Sequence, residues 1–237
     1  MVDPFGRAIR DCHRGEMTGD LIQRDGDDTQ VHPIEEFYLE GFDERGPDES
    51  WVADQLEGPL LDIGAGAGRH ALHFQERFET VAIEVSDALV DTMRERGVRD
   101  ARRGDLLCLE YSFEENRFAA ALAIGTQIGL ARSMEGLRRF LSDLATITTD
   151  DATAVVDSYD PTDLASGELL GYRDDSTPGL AFRVMHFAYD GEVGPTLLFR
   201  LFSPSRLVEA TADTPWEVSE IRRLSSGGPY YRAALEK

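Results

Sequence analysis

The sequence predicts an α/β fold, a doubly wound, Rossmann-like sheet of seven mostly parallel strands with an antiparallel last strand. Short apolar runs alternate with amphipathic stretches as far as residue 157, which is the pattern of successive strand–helix–strand units. The run at 118–124 is continuously apolar, as expected for a parallel strand that is buried on both faces. A glycine-rich turn joins the first apolar run, 60–63, to the helical stretch that follows it.

The helices are predicted from their caps and their apolar periodicity. Ser86 can cap a helix over 87–96, and Gly97 is a suitable residue to end it. Ser133 and Ser203 precede two later helical stretches in the same way. The predicted elements are strand 60–63, helix 69–77, strand 80–84, helix 87–96, a short strand near 98–102, strand 118–124, a helix from 133, strand 152–157, paired strands 180–189 and 196–202, helix 203–212, and paired strands 216–224 and 230–235.

We expect one domain, 1–237, made of four parts. These are an N-terminal helical extension that covers the core (1–57), a ligand-binding core (58–160), an inserted β-hairpin (161–202), and a C-terminal helix with antiparallel strands (203–237). In the extension, residues 1–32 are expected to be loosely helical, and a second helix is expected to begin after Ser50.

The composition is strongly acidic. The formal net charge is −21, and of 24 basic residues only Lys237 is a lysine. The acids are dispersed among loops, which favours adaptation to high salt, where screening weakens their mutual repulsion; the alternative is a surface that binds a basic partner. Nucleic acid is disfavoured as a substrate because phosphate contacts need a basic patch. The densest basic segment, 94–103, is interrupted by acids.

The chain has only two cysteines, Cys12 and Cys108, so no disulfide framework is indicated. The N-terminus lacks a basic-then-apolar signal region. The longest apolar stretch, 118–131, is too short to span a bilayer. We therefore expect a cytoplasmic protein without a membrane segment.

The glycine-rich turn has the pattern G-x-G-x-G, with Gly64, Gly66 and Gly68. Such a turn lets a ligand approach the backbone and offers free N–H groups at the start of a helix. Glu84 follows the next strand, where a carboxylate can hold a ribose diol. These features together predict a cofactor that contains adenosine.

The turn departs from the dinucleotide fingerprint G-x-G-x-x-G, because Arg69 stands where the third glycine belongs. Asp62, directly before the turn, would repel a pyrophosphate but could accept a hydrogen bond from an ammonium group. S-adenosylmethionine has an ammonium group and no phosphate, so the residues favour it over NAD. A Walker loop is excluded because the Gly-Lys pair is missing.

Four segments in register resemble the motifs of class I S-adenosylmethionine-dependent methyltransferases. They are 61–68, 82–86, 104–106 and 118–125, and the resemblance extends over residues 60–160. The loop from Gly64 to His70, the segment 125–129 and the end of the chain at 228–235 are similar to a group of small bacterial and archaeal methyltransferases. The acidic, lysine-poor composition is similar to that of haloarchaeal proteins.

The resemblance implies a role for each matching residue. Asp62 would hold the methionine ammonium, the glycine turn the amino-acid end, Glu84 the ribose, and Asp105 the adenine amino group. The cofactor-binding residues implied are Asp62, Gly64, Ala65, Gly66, Gly68, Arg69, His70, Glu84, Val85, Asp105, Leu106, Ile124 and Gly125.

The sequence identifies no catalytic base. His70 and His73 are spaced as a pair on one helix, but no third ligand follows in an obvious motif, so no metal is expected. Asp157, Tyr159 and Asp160 follow a strand at the ligand-binding edge; they either touch substrate or form a turn.

The implied activity is methyl transfer from S-adenosylmethionine to a small-molecule acceptor by in-line displacement, with S-adenosylhomocysteine as product. Two alternatives stay open: a non-catalytic S-adenosylmethionine-binding sensor and a nicotinamide-dependent oxidoreductase. The inserted hairpin is the expected place for a substrate lid or a homodimer contact.

Overall fold

The computed structural model describes residues 2–237. The α-helices are α1 (Pro4–Arg14), α2 (Pro47–Asp54), α3 (Arg69–Phe74), α4 (Asp87–Arg96), α5 (Met134–Ile147) and α6 (Pro204–Thr211). The strands are β1 (Ile22–Asp25), β2 (Asp28–Val31), β3 (Leu60–Ile63), β4 (Thr80–Glu84), β5 (Ala101–Arg103), β6 (Phe118–Ala123), β7 (Thr148–Tyr159), β8 (Tyr172–Asp174), β9 (Leu180–Tyr189), β10 (Glu192–Val193), β11 (Leu197–Phe202), β12 (Glu217–Arg223) and β13 (Tyr230–Glu236). Short helical turns lie at 35–39, 106–111, 127–131 and 164–168.

The main sheet has seven strands in the order β12-β13-β7-β6-β3-β4-β5. The five strands from β7 to β5 pair in parallel, and β13 pairs antiparallel with β7. This confirms the predicted mostly parallel sheet with an antiparallel last strand. Because the carboxyl ends of β3 to β7 meet at one edge, the segments that follow these strands are brought together there.

Helix α5 shows how the main sheet is covered. The Ser133 hydroxyl caps its first turn by accepting from the Gly136 N–H at 3.0 Å. Leu137 and Leu144 are fully buried in the largest apolar cluster. At the other end the single lysine, Lys237, donates to the carbonyls of Ala145 and Thr148 at 2.8 and 2.9 Å, a favourable place for a cation.

A second sheet is built around β9. It runs in the order β10-β9-β1-β2, and β8 and β11 also pair with β9. The antiparallel pairing of β9 with β11 confirms the predicted hairpin, whose register matches Leu180 with Phe202. The inserted segment thus folds together with the N-terminal residues of β1 and β2.

The N-terminal extension is not helical throughout, and the prediction for 1–32 is wrong over 22–31. α1 is a helix as expected, but β1 and β2 form an antiparallel hairpin whose first strand adds to the edge of β9. The two turn residues between Asp25 and Asp28 are Gly26 and Asp27, and Gly26, at φ +60° in the first position, is the local turn signal for this hairpin. Helix α2 also starts earlier than predicted: Pro47 is its first residue, and Ser50 lies inside the first turn instead of capping it.

The extension is attached to the glycine turn through Arg96. Its guanidinium donates to the carbonyls of Tyr38 and Leu39, in the extension, and to that of Ala67, in the turn, at 2.6–2.8 Å. α1 packs against α4, and Asp3 accepts a hydrogen bond from the Ser86 hydroxyl. Within residues 2–237 no helix has the length and apolarity needed to cross a membrane.

Candidate functional site

The glycine turn lies between β3 and α3. Gly64, Gly66 and Gly68 have φ of +67°, +58° and +81°, a region that residues with a Cβ rarely adopt. A Cβ on Gly64 would lie 2.3 Å from Cδ of Gln127, and one on Gly68 would lie 2.6 Å from Cγ2 of Val98. The positive φ angles favour glycine at all three positions, and at Gly68 the packed Val98 side chain also leaves no room for a Cβ.

Asp62, at the carboxyl end of β3, is a buried carboxylate with one oxygen free to accept a hydrogen bond. Its side chain is only 2% exposed, and Oδ2 has no hydrogen-bond partner among the described residues. Burial raises the pKa of Asp62 from its ordinary value of 3.8 to about 7. The hydrogen bond from the Ala71 N–H acts in the opposite direction but is the smaller effect. A cationic group placed beside Oδ2 would relieve this cost.

Glu84 ends β4 and faces the glycine turn. Its carboxylate accepts from the N–H groups of Val85 at 2.8 Å and Gly66 at 3.3 Å. Burial raises its pKa, and these N–H groups oppose the rise. Val85 beside it is 54% exposed, so an apolar side chain is presented next to the carboxylate.

Asp105 and Leu106 follow β5. The Gly104 N–H donates to the Glu84 carbonyl at 3.1 Å, so this segment lies beside the end of β4. The Asp105 carboxylate is exposed and accepts from the Leu107 N–H at 2.9 Å, where it caps the turn at 106–111. The Leu106 side chain is buried in the main core.

Arg69 and His70 begin α3. His70 packs edge-on against Phe42 with 5.3 Å between ring centroids, and burial lowers its pKa to about 3. Nε of Arg69 is buried without a partner. His73 is engaged elsewhere, because its Nε2 hydrogen-bonds Glu44 at 2.7 Å. Within residues 2–237, no three His, Cys, Asp or Glu side chains are grouped so as to hold a metal ion.

The segment after β6 is held by the buried carboxylate of Asp157. It accepts from the N–H groups of Gly125 and Thr126 at 2.7 and 2.6 Å and from the Tyr230 hydroxyl. Ile124, the residue before Gly125, packs beside the apolar cluster under α2. Asp157 therefore joins β7, β13 and the loop after β6.

Asp160 has its own structural partners. It accepts from the Thr162 hydroxyl at 2.6 Å and pairs with Arg223 at 2.5 Å. Tyr159 stacks edge-on with Tyr230 at 5.3 Å between ring centroids. Sequence analysis left open whether Asp157, Tyr159 and Asp160 touch substrate or form a turn. In the structure Asp157 and Asp160 hold backbone groups and a neighbouring strand in place.

The sequence offered Tyr38 as a lid residue or a core aromatic, and the structure places it over the glycine turn; Arg183, whose charge acts on Tyr38 and Tyr159, was missed. Cδ1 of Tyr38 lies 3.1 Å from where a Cβ of Gly66 would be, and its hydroxyl hydrogen-bonds Nε2 of His32 at 2.9 Å. Burial and the charge of Arg183 lower the pKa of His32 to about 4. The available signal was the alternation in 180–189, which places Arg183 on the apolar face.

No family model and no curated protein matches the sequence. Solved structures do match its fold. A methyltransferase from Bacteroides fragilis, crystallised with S-adenosylhomocysteine, is 24% identical and has a TM-score of 0.77; the match covers 98% of this chain and 94% of that one. The chain has the class I methyltransferase fold.

Two further neighbours have the same methyltransferase fold at lower similarity. An amino pentose methyltransferase from Micromonospora echinaspora is 17% identical, with a TM-score of 0.54; the match covers 74% of this chain and 82% of that one. A glycopeptide N-methyltransferase is 17% identical, with a TM-score of 0.58, and the match covers 84% and 91%. The match to the Bacteroides protein also includes the second sheet, since it covers nearly the whole chain.

Proposed function

We propose that this protein binds S-adenosylmethionine and transfers its methyl group to a small-molecule acceptor. The observation that carries the proposal is Asp62, whose Oδ2 is buried, unpaired and adjacent to three glycines with positive φ. A buried carboxylate without a partner fits the ammonium of the methionine group and not a phosphate.

The other residues at this edge fit the remaining parts of the cofactor. Glu84 would accept from the ribose hydroxyls, and the exposed Val85 would cover one face of the adenine. Asp105 would accept from the adenine amino group, with Leu106 beside the ring. Arg69 and His70 would flank the amino-acid end, since both follow the glycine turn directly.

When bound, S-adenosylmethionine supplies an activated methyl group on a sulfonium. The chain's own contribution is to orient the two reactants, shorten their separation and exclude water. Asp157 fixes the loop of Ile124 and Gly125, which would line the methyl end, and Tyr38 covers the glycine turn. No residue here is assigned as a general base.

The neighbours support a small acceptor. One is named an amino pentose methyltransferase and another a glycopeptide N-methyltransferase. The net charge of −21 also disfavours a nucleic-acid acceptor.

Calorimetry with S-adenosylhomocysteine tests the cofactor assignment. Wild type should bind it, and Glu84→Gln should weaken binding about 10-fold or more, because a charged acceptor to the ribose is lost. Glu57→Gln, the same change at an exposed position outside the site, should leave the affinity unaltered.

Two outcomes would favour the alternatives. Tight NADH binding with no affinity for S-adenosylhomocysteine would replace the proposal with a nicotinamide-dependent oxidoreductase. Cofactor binding with no labelled product from methyl-labelled S-adenosylmethionine and a broad metabolite mixture would indicate a non-catalytic sensor.

A further inference from the structure

Arg183 is an arginine on an otherwise apolar strand face. Side chains alternate between the two faces of β9. On the face that carries Arg183, the neighbours Ala181, Met185 and Phe187 are buried, and Phe187 lies in the apolar cluster that contains Ile34. Arg183 is itself partly buried there.

The guanidinium of Arg183 has no carboxylate partner among the described residues. Nε donates to the Leu170 carbonyl at 2.8 Å, and Nη2 donates to the Gln23 amide oxygen at 3.1 Å. Nη1 makes no hydrogen bond and is not sealed from solvent. By contrast Arg200, on the neighbouring strand, is paired with Asp175 at 2.8 Å.

Register links Arg183 to the turn after β6, and its charge acts on two tyrosines of the candidate site. Its partner across β9 and β11 is Phe199, and paired residues share a face. Phe199 packs on Gly129, in the turn after β6, with 3.3 Å between its Cβ and the position of a Gly129 Cβ. On the other side Tyr38 covers Gly66, and Arg183 opposes the rise in the pKa of both Tyr38 and Tyr159.

We propose that Arg183 binds an anionic group, a carboxylate or a phosphate, on the methyl acceptor. The inference rests on the proposed function, because it assigns the acceptor side of the same site. The planar guanidinium pairs with either anion through two parallel N–H groups, and the Nη1 edge is open for this. A partly buried cation without a counter-charge is costly, and an anionic acceptor would supply that charge.

The surroundings of Arg183 guide the choice of probe. The charge of Arg183 acts on the hydroxyls of Tyr38 and Tyr159, so aromatic residues lie near the guanidinium and an aromatic anion is a suitable probe. Benzoate and benzamide have almost the same shape and differ in charge, and phenyl phosphate carries a tetrahedral anion in place of the planar one. All three can be titrated into the protein saturated with S-adenosylhomocysteine.

We expect benzoate or phenyl phosphate to bind at least about 10-fold more tightly than benzamide, the difference expected of a charge-assisted pair. The tighter binder of the two anions indicates whether the acceptor carries a carboxylate or a phosphate. Arg183→Gln should abolish the preference, and Arg183→Lys should keep part of it, since charge remains while the planar fork is lost. Arg24→Gln is the matched control, because Arg24 is exposed on the opposite face of the same sheet.

The possible failures are distinguishable. Equal binding of benzoate, phenyl phosphate and benzamide by the cofactor-loaded wild type would overturn the inference and leave the proposed function standing. A preference that survives in Arg183→Gln would overturn it as well. If Arg183→Gln does not fold, the comparison of wild type with Arg183→Lys decides. Absence of S-adenosylhomocysteine binding by wild type would instead contradict the proposed function.

Discussion

Among single residues, Asp62 connects the sequence pattern most directly to chemistry. Its position before the glycine turn suggested a partner for an ammonium, and the structure shows a buried oxygen without a partner. Its pKa of about 7 follows from burial. A carboxyl group with a raised pKa in the folded state keeps a proton that the unfolded chain releases, so its contribution to stability declines as pH rises from about 4 to 7.

Asp62 should make cofactor affinity depend on pH. The ammonium of S-adenosylhomocysteine favours the ionised carboxylate, so affinity should increase as pH rises towards 7 and level off above it. Asp62→Asn should bind about 10- to 100-fold more weakly at pH 8 and lose the part of the profile centred near pH 7. Calorimetry from pH 5.5 to 8.5 measures the affinity of each protein and its pH dependence. Equal pH profiles for wild type and Asp62→Asn would contradict the assignment of Asp62 to the ammonium.

Among the elements, the loop after β6 depends on a strand that lies far away in the sequence. Asp157, in β7, accepts from two N–H groups of this loop, and Tyr230, in β13, donates to the same carboxylate. Gly125 has φ +97° and Thr126 φ +60°, so the loop adopts a conformation that needs such support. The antiparallel last strand thereby helps to shape the site.

Asp157→Asn should destabilise the protein by about 1–3 kcal/mol, because an amide NH2 cannot accept from the backbone N–H groups. Tyr230→Phe should cost about 1 kcal/mol, since it removes one donor and leaves both N–H bonds intact. Urea unfolding gives both values. Tyr111→Phe, at a side chain that is 78% exposed, is the control and should stay within about 0.5 kcal/mol of wild type.

For the whole molecule, the net charge of −21 is the dominant property. Surface ion pairs between arginines and acids are present, for example Arg102 with Asp100 and Arg173 with Asp25, but exposed pairs add little to stability. The acidic side chains in excess repel one another, and salt screens this repulsion. The Debye length falls from about 10 Å at 0.1 M to about 3 Å at 1 M. Salt adaptation stays a prediction from composition.

The melting temperature should rise by several degrees between 0.1 and 2 M KCl, because screening relieves repulsion in the folded chain. Calorimetric scans at several salt concentrations measure this. Replacing Asp27 and Asp28, two exposed acids at the β1–β2 turn, by Asn should raise the melting temperature at low salt more than at high salt. Full stability in dilute buffer with no salt dependence would contradict the hypothesis.

The homodimer through the inserted hairpin also stays a prediction. The apolar surface that the hairpin exposes is Val193 of β10, which is 54% exposed, and we expect a second copy of the chain to pack on it. Sedimentation equilibrium should show a species of twice the chain's mass that Val193→Glu converts to monomer. A monomer at all concentrations would contradict it.

From the sequence alone we could predict the parallel sheet, its antiparallel last strand, and the glycine turn with Asp62 before it and Glu84 after the next strand. These features are local, because apolar periodicity, caps and glycine conformations act within a few residues. Three features could be found only in the folded molecule: β1 adds to the edge of β9, Asp157 accepts from Tyr230, and Arg183 donates to Gln23. Each depends on contacts between segments some 70 to 160 residues apart. The edge of β9 brings Gln23 to Arg183, and the pairing of β13 with β7 brings Tyr230 to Asp157. No single segment of the sequence specifies such a contact.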